Sequence, residues 1–379
     1  MRISMAIFRA SPEYVMTNCL LHIAEAAHRR GHEITVYTHE WNGAEPGYIR
    51  VVRFPITAKP YQKRTAEFFS RLADAVKGDQ PDVVLGFNRG PGLDFYFSGG
   101  NCFVYTEKQT RSGMYRFFNR EYAVRAALEQ EVFSPESQTR IFYFSEEQKE
   151  QFIRTFNTPA NRFCLLPPAA NQDCRRTADY ENIRLNKRRI FSAGSNDIVL
   201  IQVAINMLRK GVDRTILAVA ALPEEIRSRI RLCLIGRETE KLRQLAEAAG
   251  IAKQTYFEGP QYDLRDYLYT ADMMIHPARV EVTGPMLLEA LDAGVPVLCT
   301  DNCGYAEYVM NSHAGGTVTG GHAFDQMELN AALLSFLCDP AQLRILSRDA
   351  LDYMRHYDTF SYAETVVNTL EQKGSHAPR

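Results

Sequence analysis

With 379 residues, 45 % of them hydrophobic and 23 % charged, the chain has an ordinary globular composition and is too long for one small core; two domains, at most three, are expected. Lys and Arg number 44 against 45 Asp and Glu, a net charge of −1, which excludes the basic surplus of a dedicated nucleic-acid binder. The balance hides an asymmetry: the residues through Pro167 carry 21 basic and 18 acidic side chains, the remainder 23 and 27.

The first eight residues are apolar but short. Arg9, Pro12 and Glu13 follow without a small-residue cleavage site, so the segment reads as a buried strand over 3–8 and not as a signal peptide. Leu20, Ile23, Ala24 and Ala27 share one face of a helix over 19–30, which Gly31 ends before a strand over 33–38. Strands are expected at 83–87 and 141–144, helices at 65–76, 114–128 and 146–156. The run Arg162-Phe163-Cys164-Leu165-Leu166 then meets Pro167-Pro168, which continues neither ladder nor helix. That marks a boundary between a domain over 1–167 and a second over 168–355. After an irregular, charge-rich stretch at 173–189, strands are expected at 198–203, 230–235, 255–257, 273–276, 295–299 and 317–318. Helical patterns lie between them at 211–221, 238–249, 263–271, 284–293 and 305–310. From Phe324 the chain is helical, and it ends in a polar, frayed tail at 372–379. This alternation predicts an α/β fold: two doubly wound halves joined by a short linker, with a ligand cleft between them.

No run of eighteen apolar residues is present, so no bilayer span is expected. The eight cysteines form no Cys-x-x-Cys pair and sit mostly in apolar runs, as reduced core thiols of a cytoplasmic protein would. The nine histidines show no metal-ligand spacing. No Gly-x-Gly-x-x-Gly follows a strand and no Gly-x4-Gly-Lys-Ser/Thr occurs, which counts against nicotinamide dehydrogenases and P-loop NTPases. Nor is there an Asp-x-Asp to bridge a metal to a nucleotide sugar.

The segment Glu281-Val282-Thr283-Gly284-Pro285-Met286-Leu287-Leu288-Glu289 leads through an apolar helix to Ala293-Gly294-Val295-Pro296-Val297. Gly284 permits close backbone approach and Pro285 suits the first helical position. Glu281 then precedes a helix N-terminus whose free N–H groups and dipole suit a diphosphate. The plainer alternative is a helix with one capping acid and one solvent-facing acid. Arg209-Lys210 is likewise either an anion grip or a solvated basic pair.

Glu-x7-Glu with an internal glycine followed by Ala-Gly-x-Pro-Val resembles the donor-site motif of retaining GT-B glycosyltransferases of family 4. Arg209-Lys210-Gly211-Val212-Asp213, the strand-ending Gly236 and Ala271-Asp272-Met273-Met274-Ile275-His276-Pro277 resemble that family in the same order. The lipopolysaccharide inner-core glucosyltransferases within it are similar at Arg30-Gly31-His32-Glu33, Gly86-Phe87-Asn88, Pro91-Gly92-Leu93-Asp94, Leu166-Pro167-Pro168 and Cys303-Gly304-Tyr305-Ala306. The resemblance implies two Rossmann-like domains, with a C-terminal helix over 356–379 returning toward the first. It also implies a UDP-sugar donor without a metal or other cofactor, and a phosphorylated glycolipid acceptor. Arg209 and Lys210 would neutralise the diphosphate, Glu289 would hold the ribose, and Glu281 would hold sugar hydroxyls. Backbone N–H groups near Gly284 and Met286, with Gly236 at the strand end, would complete the donor site.

Some stretches depart from the family's pattern. Tyr14-Val15-Met16 stands where two glycines are expected, Cys19 where an acid is, Gly100 where an acid or histidine is, and Ala204-Ile205-Asn206-Met207-Leu208 where a glycine-rich turn is. Pro285 also removes one N–H. Either the donor binds mainly through the C-terminal half, or the chain is a non-catalytic relative that binds a partner or a glycan. Lys59, Lys63 and Arg64, in a loop at 58–64, suit a phosphorylated acceptor; a solvated surface stretch is the alternative. Lys108, Arg111, Arg116 and Arg120 interleave with Tyr105, Tyr115, Phe117, Phe118 and Tyr122, a pattern suited to an anionic membrane surface. The resemblance places that surface at the cytoplasmic face of the inner membrane.

Overall fold

Near-continuous apolar runs such as Ile198-Val199-Leu200-Ile201 suit strands covered on both faces, and in both large sheets all the strand pairs are parallel. The structure, a computed structural model, describes every residue except Glu13, Glu238, Tyr262 and 375–379; the end of the expected frayed tail and the first residue of the helix expected at 238–249 lie outside it. The chain forms two units, Met1–Pro168 with the chain from Phe360, and Ala169–Thr359.

The first unit contains β1 (Arg2–Ala6), β2 (Arg9–Ala10), α1 (Val15–Arg29), β3 (Glu33–Thr38), β4 (Glu40–Trp41), β5 (Ile49–Arg53) and α2 (Tyr61–Asp79). It continues with β6 (Val83–Gly86), β7 (Phe95–Phe97), α3 (Phe103–Thr110), α4 (Gly113–Phe118), α5 (Arg120–Phe133), β8 (Arg140–Tyr143), α6 (Glu146–Phe156) and β9 (Phe163–Leu165). Seven of these strands form one sheet in the order β5-β3-β1-β6-β7-β8-β9. Ala6, Val84, Tyr96 and Ile141 join Phe68, Phe69, Phe133 and Phe152 in one apolar cluster. Beyond the second unit, α16 (Ser361–Gly374) returns beside α1. Val366, Val367 and Leu370 are buried there, and His22 meets the Tyr362 hydroxyl at 2.7 Å, Arg30 meets Asn368 at 2.6 Å and His32 meets Glu371 at 2.7 Å.

The second unit contains α7 (Tyr180–Ile190), β10 (Ile198–Asn206), α8 (Val212–Ala220), α9 (Glu224–Arg227), β11 (Ile230–Arg237), α10 (Glu240–Ala248), β12 (Thr255–Gly259) and α11 (Arg265–Thr270). There follow β13 (Met273–His276), α12 (Pro285–Asp292), β14 (Val297–Thr300), α13 (Ala306–Asn311), β15 (Gly315–Val318), α14 (Gln326–Leu337) and α15 (Pro340–Met354). Its six strands run in the order β12-β11-β10-β13-β14-β15.

Two expected segments differ. The helix expected over 114–128 is broken, because Ser112 caps α4 by accepting from Tyr115 N at 3.2 Å and Asn119 caps α5 by accepting from Tyr122 N at 2.9 Å. Short polar side chains that bond nearby backbone N–H groups start helices and do not continue them. The stretch at 173–189, expected to be irregular, holds α7. Its apolar content is too low to show a helical period, and ion pairs hold it instead. Arg184 and Arg188 both pair with Asp272, the second at 2.9 Å, while Arg184 also donates to the Tyr269 and Thr270 carbonyls at 2.9 Å. Asp272→Ala strands two largely buried cations, and a loss of about 3–5 kcal/mol in urea unfolding is expected.

Candidate active site

In a parallel doubly wound sheet, ligands bind beyond the carboxyl ends of the strands where strand order reverses. In the second unit that point lies between β10 and β13. The turn after β10 carries Arg209 and Lys210, and the loop after β13 carries Glu281 and Gly284. Asn206 shapes the first turn, its side chain accepting from Arg209 N at 3.1 Å and its carbonyl from Lys210 N at 3.0 Å. Gln202 donates to the Lys210 carbonyl at 2.7 Å. Met207 is buried, whereas Ile205 and Leu208 are exposed, so the bulk found in place of a glycine-rich turn lies partly in solvent.

The structure splits the basic pair. Lys210 forms a largely buried ion pair with Glu281 Oε2, each side chain 11 % exposed. Arg209 is exposed, and its guanidinium has no partner among the described residues. Next to it Arg279 is spent on Asp213 through contacts of 2.8 and 2.7 Å, while its N–H holds the Arg209 carbonyl at 2.9 Å. Arg209 is thus left as a cation free for an anion.

His276, buried at the end of β13, places Nε2 3.0 Å from the same Glu281 Oε2. Burial opposes ionisation of Glu281, but the His276 hydrogen bond and the Lys210 charge outweigh it and hold the carboxyl at about 2. Glu281 is therefore a fixed carboxylate with Oε2 clamped and Oε1 outside both contacts. His276 had no role in the reading of the sequence. Its signals there were its place in the family-like segment at 271–277 and at the end of an apolar strand five positions before Glu281.

Gly284 is the N-cap of α12 with φ +83° and Pro285 is its first residue. Met286, half-buried, follows. The loop is pinned by a parallel bridge from Glu281 to Cys303 and by Tyr305 N donating to the Thr283 carbonyl at 2.7 Å. Gly236, with φ +138°, is needed for close packing: a Cβ there would collide with the Ala204 carbonyl.

Glu289 is fully buried, unlike the solvent-facing acid of an ordinary helix. Oε1 accepts from Asn171 N at 2.8 Å, while Oε2 is buried without a partner. Burial pushes its carboxyl up to about 7, against the N–H groups of Asn171 and Gln172. A buried oxygen without a partner is an atom that a ligand hydroxyl would satisfy. Among the described residues no cluster of His, Cys, Asp and Glu is arranged to hold a metal.

In the first unit, the expected loop at 58–64 ends early because α2 starts at Tyr61. Lys59 and Lys63 are exposed. Arg64 lies 5.3 Å over the Phe8 ring and 3.6 Å from Glu40, so its charge is partly used within the unit. Met16, at the start of α1, fills the space over Gly99 that a side chain would take. Gly100 belongs to a loop held by Gln148, which donates to the Ser98 and Gly100 carbonyls at 2.8 and 2.9 Å. Lys108, Arg111 and Arg120 are exposed and Arg116 is half-buried. Arg111 sits 5.1 Å over Tyr115, and Phe117 and Phe118 are 82 and 74 % exposed. No helix among the described residues is long and apolar enough to cross a membrane.

Two family models match, Glycosyltransferase Family 4 over residues 16–173 and Glycosyl transferases group 1 over residues 184–352. The lipopolysaccharide glucosyltransferase WaaG of Escherichia coli K12 is 30 % identical over 98 % of each chain. A GDP-mannose-dependent phosphatidylinositol monomannoside mannosyltransferase of Mycolicibacterium smegmatis is 27 % identical over 82 % of each. The crystal structure of WaaG superposes with a TM-score of 0.88 at 29 % identity, over 97 % of this chain and 99 % of that one. A sucrose-phosphate synthase of Thermosynechococcus elongatus shares the fold, with a TM-score of 0.78 at 16 % identity over the whole of both chains. These relationships do not favour the non-catalytic alternative. With its two Rossmann-like parallel-sheet units, the chain belongs to the WaaG-like GT-B glycosyltransferases and is a transferase.

Proposed function

We propose that the enzyme moves a hexose from a UDP-sugar to a lipopolysaccharide core or a related phosphorylated glycolipid, with retention at the anomeric carbon. The acceptor class is supported by the relationship to the Escherichia coli glucosyltransferase. The observation that carries the donor reading is the division of charge at the switch point, where Glu281 is clamped and ionised while Arg209 stays without a counter-ion. In this reading Arg209 and the N–H groups near Gly284 and Met286 meet the diphosphate, and their attraction grows as the sugar departs. Glu281 Oε1 accepts sugar hydroxyls and steadies the developing oxocarbenium charge, and Glu289 Oε2 takes a ribose hydroxyl. The acceptor hydroxyl attacks on the face the diphosphate leaves, and a phosphate oxygen takes its proton. No metal takes part, so a chelator leaves the rate unchanged.

UDP is expected to stabilise the protein by about 2.7 kcal/mol at a hundredfold excess over Kd, and UDP-glucose to be consumed with a core acceptor. If UDP neither protects nor its sugar is transferred while GDP-mannose is, the donor reading fails. Arg209→Ala is expected to change stability by no more than about 0.5 kcal/mol. It should weaken UDP binding about 10- to 100-fold, the worth of a charged hydrogen-bond donor, by calorimetric titration.

The exposed Phe117 and Phe118 beside Lys108, Arg111, Arg116 and Arg120 support peripheral contact with anionic lipid at the cytoplasmic face of the inner membrane. Vesicle sedimentation should show Phe117→Ser/Phe118→Ser binding about tenfold more weakly, since each ring loses apolar burial. Equal binding to neutral vesicles by the parent protein would remove the electrostatic part.

A further inference from the structure

Two donors converge on one oxygen of Glu281, although one would balance its charge. Lys210 Nζ and His276 Nε2 both meet Oε2, the histidine at 3.0 Å. The two differ in kind. An ammonium on a four-carbon stem carries three rotatable donors and attracts a carboxylate from any direction. An imidazole N–H is a single donor fixed in the plane of its ring.

The fold holds that ring in place. His276 is 1 % exposed and pairs with Cys299 where β13 runs beside β14. The chain just beyond it is tied at successive carbonyls: His276 O accepts from Ala278 N at 2.9 Å, Pro277 O from Arg214 at 3.1 Å and Ala278 O from Thr300 Oγ1 at 2.9 Å. Gly211, next after Lys210, lies so close to the Pro277 carbonyl that a Cβ would collide with it. Glu281 is ionised and has no proton to give, so the hydrogen of the 3.0 Å contact belongs to Nε2. Nδ1 is buried without a partner, which leaves Glu281 as the one hydrogen-bond partner of the ring among the described residues. An apolar side chain in this place would spare the cost of that orphaned nitrogen, so packing does not account for a histidine here.

We propose that His276 is a positioning residue: Lys210 supplies the counter-charge of Glu281, and the imidazole supplies the direction that turns Oε1 toward the sugar. The backbone of Glu281 is already pinned by its bridge to Cys303, so its side-chain torsions are the freedom that His276 removes. A rotated carboxylate would keep its charge and miss the reacting sugar. The inference rests on the reading of Glu281 as the group that holds the sugar hydroxyls, and deepens it.

Steady-state kinetics of the full chain, with UDP-glucose and a lipopolysaccharide core acceptor, test it. His276→Phe keeps the Lys210–Glu281 pair and should lower the turnover number about 10- to 100-fold, the cost of a misaligned group. The donor KM, and UDP affinity by calorimetric titration, should stay within about twofold of the parent, as for a contact that matters only in the transition state. His276→Gln, whose amide N–H has a similar reach, should recover most of the turnover that His276→Phe loses. In the parent itself, proton–nitrogen correlation NMR should show this imidazole protonated at Nε2. Parent-like turnover of His276→Phe, equal turnover of the two variants, or a bare Nε2 in the parent would overturn the inference. Parent-like turnover of Glu281→Gln would instead remove the reading beneath it.

Discussion

Glu281→Gln is expected to lower the turnover number about 10²- to 10³-fold at saturating donor, the usual loss when a group stabilising developing charge is neutralised. The amide preserves the shape, but like Glu281→Ala it leaves Lys210 without its carboxylate in a site where both side chains are 11 % exposed, and breaking such a pair costs about 3–5 kcal/mol. The folded value of about 2 lies below that of an unfolded glutamate. The stability Glu281 contributes is therefore full above about pH 4.5 and is lost as pH falls toward 2. The stability gap between parent and Glu281→Gln should close across that window in calorimetry. Parent-like turnover of Glu281→Gln would refute the assigned role.

Glu289→Gln should do the opposite to stability. Burial raises the Glu289 carboxyl to about 7 and that of Asp292 to about 6, the latter against Arg175 at 3.6 Å. For a raised value, the contribution is full below the unfolded value near pH 4.5 and lost as pH rises through 7. The shift at a fully buried group corresponds to about 3 kcal/mol at pH 8. Glu289→Gln should therefore melt at a higher temperature than the parent at pH 8. Its stability should vary less between pH 5 and 8, with a residual slope from Asp292. UDP affinity should fall about tenfold, near 1.4 kcal/mol, as the ribose acceptor is lost. An unchanged pH slope would show that Glu289 titrates elsewhere.

Most strands were legible because their apolar runs are buried on both faces, and α6 matches its expected range of 146–156 because Ser145 caps it at a readable Ser-Glu-Glu-Gln start. β5 escaped because Arg50 and Arg53 interrupt its apolar residues on an outer strand. α7 escaped because ion pairs to Asp272 hold it and an apolar stripe does not. In the site, Glu281, Gly284, Pro285 and Glu289 were readable from spacing around a helix start. His276 was not, since a histidine ending a buried strand looks like any core histidine.

The sequence by itself determined the α/β alternation, the resemblance to the family and the two glutamates eight positions apart, one ahead of α12 and one within it. Only the tertiary structure decided how their charges are spent. Lys210 and Glu281, separated by 71 positions, become neighbours because β10 and β13 pair at the switch point. That contact consumes one cation of Arg209-Lys210 and leaves the other free. Burial within α12 likewise separates a Glu289 protonated near neutrality from an ionised Glu281. Residue type and spacing carry neither result, because a side chain's charge state depends on which distant groups and how much solvent surround it.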